Sequence, residues 1–342
     1  MAQPLTEFIA RLVRREDLSR EQAEQLLESL LDADATDAQI AAALVALAAK
    51  GETVEELTGM ATGLRARAVR VSSCHSCFID TAGTGSSPAK TFNISTAAAF
   101  VISGAGLPVA KHGNRAASSK SGSADLLTAL GVNVSAIPAV SENSLNEIGI
   151  CFMFAPLYHG ATARVAGIRR QLGIHTTFNL LGPLSNPAGA PRQIIGVWRK
   201  DFAERLARVL AALGTEHAWV VHGEDGLDEI TLTGKTHVAE ARGGEVRLFE
   251  IAPEDFGFAA AALDHLRGGD TDANAAIVRA VLERKRHDEA RTLVVMTAAA
   301  ALMLGGVVSD VGEGARRAAE AIDSGAALAK LERLIAATNQ NA

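Results

Sequence analysis

The stretch CFIDTAGTGSSPAKTFNIST, residues 77–96, changes the character of the chain. Cys77-Phe78-Ile79-Asp80 reads as a strand running into the glycine loop Gly83-Thr84-Gly85, and a helix begins near Asn93-Ile94-Ser95-Thr96. A strand, a glycine loop and a helix N-terminus aim backbone amides and a positive dipole end at one spot, which suits an anion. No GK[ST] closes the loop, so it is not a Walker A loop, and it lacks the third glycine of a dinucleotide fingerprint. Downstream, strand-like and helical runs alternate. Residues 107–110 precede a loop and a helix from about Ser123 to Leu130. Residues 194–198 precede a helix from about Phe202 to Leu213, and residues 218–222 form a third apolar run. This alternation predicts an α/β fold with a mostly parallel central sheet covered by helices. Lys111-His112-Gly113-Asn114-Arg115 is placed just after the second strand, in a loop where such sheets commonly bind ligands. A polar hairpin follows with Gly243-Gly244 as its turn, then an Ala-rich helical tail from about Glu289.

Upstream, the pattern is helical. Capping boxes stand at Ser19–Gln22, Thr36–Gln39 and Thr53–Glu56, where a hydroxyl accepts an N3 amide and the N3 side chain reaches back. Leu26, Leu27, Leu30 and Leu31, then Ile40, Leu44 and Leu47, keep helical spacing. The predicted organisation is a small all-helical N-terminal domain, residues 1–73, and a large α/β domain, residues 74–342. A length of 342 residues suits about two domains.

The chain carries 33 basic and 39 acidic residues, a net charge of −6, which argues against nucleic acid or an anionic membrane as partner. Asp and Glu number 39 in 342, yet residues 81–124 contain none. That window holds Lys90, Lys111, Arg115, Lys120 and many Gly, Ser and Thr. Hydroxyls, glycine-freed amides and cations without carboxylate partners are what a phosphate site needs. Three cysteines, Cys74, Cys77 and Cys151, are sparse and odd in number, as in a reducing compartment. No second CxxC completes a zinc site with Cys74 and Cys77. With no signal-peptide pattern and no long apolar span, the expected location is cytoplasmic.

KHGNRAASSKSGSADLL (111–127) closely resembles the signature of the anthranilate phosphoribosyltransferases. The resemblance continues through DTAGTG and KTFNIST within 80–96, FAPLYH (154–159), RRQLGIHTTFNLLGPLSNPAG (169–189), VVHGEDGLDEITLTG (220–234), FGF (256–258) and GGDTDANAAIVRAVL (268–282). KHGNR with SSKSGS and GLDE separates this family from the pyrimidine nucleoside phosphorylases, which share the fold.

The resemblance implies transfer of phosphoribose from phosphoribosyl pyrophosphate to the amine of anthranilate, in tryptophan synthesis, with Mg²⁺ as cofactor. It implies a homodimer formed through the helical domain, with a segment at about 164–190 packed back on that domain. By matching positions, phosphoribosyl pyrophosphate would be held by Gly83, Thr84, Gly85, Ser86, Ser87, Lys90, Thr91, Asn93, Ser95, Thr96, Lys111, Ser119 and Ser123. Anthranilate would be held by Gly83, His112, Asn114, His159 and Arg169, and Mg²⁺ by Asp228 and Glu229 with Ser95. No covalent nucleophile is implied, and Cys151, His222 and His265 are read as structural.

Two segments depart from the family pattern. Its GTGGDG loop is here Gly83-Thr84-Gly85-Ser86-Ser87-Pro88, where Lys90 and the serine hydroxyls would take over lost amide contacts. Its HPAM[KR]HVAPVR segment is here His159-Gly160-Ala161-Thr162-Ala163-Arg164-Val165-Ala166-Gly167-Ile168-Arg169. Two other readings therefore stay open: a related phosphoribosyltransferase or nucleoside phosphorylase with another acceptor, and a non-catalytic relative that binds nucleic acid.

Overall fold

The computed structural model describes residues 4–85, 91–116, 121–262 and 268–340. Four helices open the chain: α1 (Leu5–Val13), α2 (Arg20–Leu31), α3 (Asp37–Lys50) and α4 (Val54–Ala66). All three predicted capping boxes form, on α2, α3 and α4. The apolar stripes meet in one core that includes Phe8, Leu26, Leu27, Leu44 and Leu57. Inside it, Glu56 is fully buried, takes the Lys50 ammonium at 2.9 Å and accepts the Leu18 amide at 3.0 Å. A buried carboxylate satisfied in this way fixes how the helices meet, because losing either donor would strand its charge.

The sheet has the order β3-β2-β1-β4-β5-β6-β7. Its strands are β1 (Ile79–Gly83), β2 (Val109–Gly113), β3 (Ile150–Phe154), β4 (Arg192–Gly196), β5 (His217–Gly223), β6 (Thr236–Arg242) and β7 (Glu245–Ile251). β3, β2, β1, β4 and β5 run parallel, and β6 and β7 are antiparallel additions. The chain moves outward one way through β2 and β3, then returns to the other side of β1 with β4. The carboxyl end of β1 is therefore the point where strand order reverses, and crevices open there in such sheets.

Side chains alternate across the sheet, and both faces are covered. Trp219 and Val221 of β5 join one core with α5 (Ile94–Gly104), α12 (Thr271–Leu282), α13 (Glu289–Leu304), α14 (Val311–Asp323) and α15 (Ala326–Asn339). Ala218 and Val220 face α11 (Lys200–Ala212), in the same apolar cluster as the N-terminal helices. Val165 and Ile168 of α9 (Ala163–Leu172) belong to that cluster, as do Phe178, Leu181 and Leu184 of α10 (Thr177–Leu184). In the β6–β7 hairpin Arg242 faces Glu245, and Gly243 and Gly244 adopt φ of 59° and 87°. Both turn residues need the left-handed region, which is why both are glycine.

One placement differs from the sequence reading. Lys111 and His112 lie inside β2, paired with Phe152 and Met153, and not in the loop after it. Periodicity ends a strand at its first charged residue, but here the lysine is 4% exposed and satisfied by its neighbours.

Gly59 brings α2 and α4 into close approach: a Cβ there would sit 2.0 Å from the Arg20 carbonyl oxygen. Gly59→Ala is expected to destabilise the chain by about 1–3 kcal/mol through overpacking. Gly160→Ala, whose Cβ would meet nothing within 4 Å, is the neutral control. Paired denaturant titrations measure the difference.

Candidate active site

A cleft of about 1350 Å³ opens at the carboxyl ends of β1 and β2, beside the segment after β3 and the β5–β6 connection, with α9 and α10 on its far side. Gly83, Thr84, Gly85, Thr91, Asn93, Ser95, Thr96, Lys111, His112, Asn114, Ser123, His159, Arg169, Asp228 and Glu229 all line it. Ser86, Ser87, Lys90 and Ser119 fall outside the described residues.

One half of the cleft is built around the start of α5. The helix begins at Ile94, as the sequence predicts, with Asn93 as its N-cap residue. The Asn93 side-chain amide donates to the Ser121 carbonyl at 3.3 Å rather than capping the helix. The positive end of the helix dipole therefore faces the cleft, while the amides of Ile94 and Thr96 are given to the carbonyls of Phe92 and Asn93 at 2.7 and 3.2 Å. The Ser95 amide donates to Glu229 Oε1 at 3.3 Å, and the Ser95 carbonyl accepts the Thr81 hydroxyl at 3.1 Å. Lys111 Nζ donates to the Thr81 carbonyl and to Thr81 Oγ1. Burial pushes the Lys111 ammonium down, against the pull of Asp80 and Glu229. The cleft wall and the adjacent Asp228 charge push the Glu229 carboxyl up to about 8. Thr84 donates both its amide and its hydroxyl to the Gly196 carbonyl, at 2.9 and 3.1 Å. Its side chain thus braces β1 to β4.

The Asp228-Glu229 pair is presented by the β5–β6 connection. Asp225 folds that loop by accepting the Leu227 amide at 3.1 Å and the hydroxyls of Thr231 and Thr233 at 2.6 and 2.9 Å. On the β2 side, Asp125 accepts the amides of Ala116 and Gly122 at 2.9 and 3.0 Å and pairs with Arg115 at 2.9 Å. These bonds hold Asn114 and Ser123 at the rim.

The other half holds Arg169, His112 and His159. Arg169 lies over Phe178, 5.7 Å from the ring centroid, and donates to Asn179 Oδ1 at 2.9 Å. Its Nε is buried without a partner, and among the described residues no carboxylate lies within ion-pair distance. Burial pushes its pKa down, yet a guanidinium stays charged, so the group stands ready for an incoming anion. The rings of His112 and His159 meet edge to face with centroids 5.2 Å apart. Burial and the neighbouring His159 push His112 down to about 3, and burial lowers His159 as well.

Sequence reasoning missed Phe178 and Asn179, which form the seat of Arg169, and Asn274, whose amide donates to Asn93 Oδ1 at 3.4 Å. It also missed the organising role of Asp225. The motifs TTFNLLGPL and GGDTDAN contained the first three, but nothing in a local pattern says which members reach the cleft.

A helical bundle beside an α/β domain, with an anion-directed helix start and a carboxylate pair at the strand-order switch, defines a transferase of the glycosyl transferase class. The helical bundle domain of the glycosyl transferase family matches residues 6–68, and the a/b domain of the same family matches residues 75–328. An anthranilate phosphoribosyltransferase of Paramagnetospirillum magneticum is 52% identical, covering 98% of this chain and 96% of its own length. That of Rhodospirillum rubrum is 52% identical over 96% of this chain and 94% of its own length. The crystal structure of the Thermus thermophilus enzyme superposes with a TM-score of 0.90 at 37% identity, covering 97% of this chain and 99% of that one. The Saccharomyces cerevisiae enzyme, in complex with phosphoribosyl pyrophosphate and Mg, gives 0.89 at 29% identity, with 98% and 97% covered. The chain belongs to the anthranilate phosphoribosyltransferase family.

Gly196, at the end of β4, is pressed against the carboxylate loop: a Cβ there would lie 1.7 Å from the Asp228 carbonyl oxygen. Gly196→Ala is expected to displace residues 225–233. Hydrogen exchange of their amides should accelerate at least about tenfold, while the N-terminal helices exchange as before.

Proposed function

We infer that this chain transfers 5-phosphoribose from phosphoribosyl pyrophosphate to the amine of anthranilate, giving N-(5-phosphoribosyl)anthranilate and pyrophosphate, a step of tryptophan biosynthesis. The observation that carries the acceptor half of this reading is Arg169, a half-buried guanidinium seated on Phe178 with no carboxylate partner among the described residues. Its planar fork suits the acceptor carboxylate, and the aromatic wall suits the ring. Gly83, Gly85, Thr91, Asn93, Ser95, Thr96, Lys111 and Ser123 receive the donor's phosphates and ribose, and His112, Asn114 and His159 complete the acceptor site.

The carboxylate pair fits Mg²⁺. Burial, and then the Asp228 charge beside it, hold the Glu229 carboxyl up, and a cation would favour its charged form. Mg²⁺ is usually held by one or two carboxylates plus substrate oxygens, which matches Asp228, Glu229 and the Ser95 hydroxyl. When bound, it would neutralise charge on the departing pyrophosphate. The protein contributes orientation and electrostatics: the α5 N-terminus and Lys111 fix the donor, and Arg169 directs the amine at the anomeric carbon.

Assembly as a homodimer through the N-terminal helices is supported by Val13 and Val45, which are 69% and 41% exposed on α1 and α3. A cytoplasmic location is supported by three cysteines that are all free. Among the described residues no helix is long and apolar enough to cross a membrane.

Loss of anthranilate fluorescence with donor and Mg²⁺ tests the activity. Arg169→Ala should raise the anthranilate KM about ten- to hundredfold, the worth of a charge-assisted contact, and hardly move the donor KM. Equal effects on both would make Arg169 a packing residue. Asp228→Asn with Glu229→Gln should raise the Mg²⁺ concentration needed for half-maximal turnover steeply. An unchanged Mg²⁺ curve would remove the metal assignment.

A further inference from the structure

Helix α10 ends inside the protein, and its last carbonyls are satisfied by side chains from all around it. Ser185 Oγ donates to the Leu181 carbonyl at 2.9 Å. His112 Nδ1 of β2 reaches the Gly182 carbonyl at 3.3 Å. Gln193 Nε2 of β4 donates to the Pro183 carbonyl at 2.9 Å. Arg65 Nε of α4 donates to the Leu184 carbonyl at 2.6 Å. His159 Nε2, after β3, reaches the Ser185 carbonyl at 3.1 Å.

A carbonyl oxygen only accepts, so the ring nitrogen facing it must carry the proton. His112 is thereby fixed with its proton on Nδ1, and His159 with its proton on Nε2. The remaining nitrogens, His112 Nε2 and His159 Nδ1, are bare acceptors, and both are buried without a hydrogen-bond partner. Both rings line the cleft and are 7% and 6% exposed. An unpartnered buried acceptor is costly unless a ligand supplies the donor.

We propose that the C-terminal turn of α10 locks His112 and His159 in opposite neutral tautomers, so that their two bare nitrogens accept the two N–H bonds of the incoming arylamine. This rests on the acceptor site proposed above. With both N–H bonds engaged, the nitrogen lone pair is the direction left for attack on the sugar carbon. Arylamine specificity then has two parts: Arg169 selects the carboxylate, and the two imidazoles select an NH₂ group over a group with fewer donors. Imidazolium rings would present N–H to N–H and repel the amine, and burial disfavours the charged form of both rings. Arg65 and Gln193 are positioning residues. They do not meet the substrate, but they satisfy the carbonyls between those that hold the histidines. Arg65 in particular ties the N-terminal helices to the acceptor site.

The test is nitrogen NMR on the full chain labelled with ¹⁵N-histidine, with the two rings assigned from His112→Gln and His159→Gln. His112 is expected to show a protonated Nδ1 and His159 a protonated Nε2, both neutral at pH 7. Saturating anthranilate is expected to shift the bare nitrogen of each ring. The same tautomer in both rings, or an imidazolium, would overturn the proposal. So would unshifted bare nitrogens in protein that turns anthranilate over. Absence of anthranilate turnover by the folded native chain would instead sink the functional reading and the amine role with it, leaving the tautomers as measured. For Arg65, Arg65→Met should raise the anthranilate KM about tenfold with the donor KM within about twofold, and Arg65→Lys should recover most of the loss. Equal rises in both constants would remove Arg65 from the device.

Discussion

A helix that ends in a protein interior must find donors for its final carbonyls, since water cannot reach them. In this molecule that requirement ties the parts together. The last turn of α10 contains Pro183, and it draws Arg65 from the N-terminal helices, His112 from β2, Gln193 from β4 and His159 from the end of β3. Arg65, His112 and His159 come from distant parts of the chain and Gln193 from ten residues on, each serving a different oxygen, with the Gly182 carbonyl also accepting the Ser185 amide and hydroxyl. The next residue extends the pattern. Asn186 donates to Asp80 Oδ2 at 2.7 Å and to the Ala110 carbonyl at 2.9 Å, joining the same turn to β1 and β2. The acceptor half of the cleft thus stands on a hub of directional bonds, where small displacements leave buried groups unpaired.

The donor half rests on charge. The segment 81–124 has no acid of its own, so among the described residues its cations Lys111 and Arg115 are answered by carboxylates from elsewhere. Lys111 lies between Asp80 on β1 and Glu229 on the β5–β6 loop. Asp80 is fully buried, and its carboxyl is pushed up to about 6 by that burial, held from going further by Lys111 and by bonds from Asn186 and the His112 amide. Arg115 is answered by Asp125. Arg169, on the opposite wall, has no such answer among the described residues. The asymmetry divides the cleft: one wall is balanced around Lys111 and the carboxylate pair, and the other holds a guanidinium bonded to Asn179 but to no carboxylate among the described residues.

Much of this was legible in the sequence. The capping boxes marked three helix starts, and all three formed because the signal is local and chemical. The alternation after Ile79 predicted the mostly parallel sheet. The family motifs pointed to residues that converge on one cleft, including positions more than a hundred residues apart, such as Ser95 and Glu229. What stayed hidden was whatever depends on where a buried polar group finds its partner. Lys111 and His112 read as loop because a charge at a buried strand position makes sense only once Thr81 and the α10 turn are in place. That the Thr84 hydroxyl also donates to the Gly196 carbonyl, bracing β1 to β4, was not readable from the loop motif. No local rule says that the carbonyls of LLGPLSN would collect side chains from α4, β2, β4 and the end of β3.

The departure at residues 160–167 bears on acceptor identity, and the placement of these residues weighs the matter. Gly160, Ala161, Ala163 and Arg164 are exposed. Arg164 turns away from the cleft to pair with Asp37 of α3 at 2.8 Å and to donate to the Ala33 carbonyl at 3.1 Å. It has become a strut between α9 and the N-terminal helices. Thr162 does line the cleft, but its hydroxyl and amide are both given to the His159 carbonyl, at 2.8 and 2.9 Å. The inward positions are held by His159, Val165, Ile168 and Arg169, and of these the two that reach the cleft keep the family's residues. Gly160 thus replaces the family's proline on the outer surface of the turn, and Thr162 replaces its bulky side chain at the cleft wall, while His159 and Arg169 remain fixed by the α10 hub and by Asn179. On these grounds the altered segment changes how α9 is braced and trims one side chain of the cleft wall, and it leaves His159 and Arg169 in the cleft.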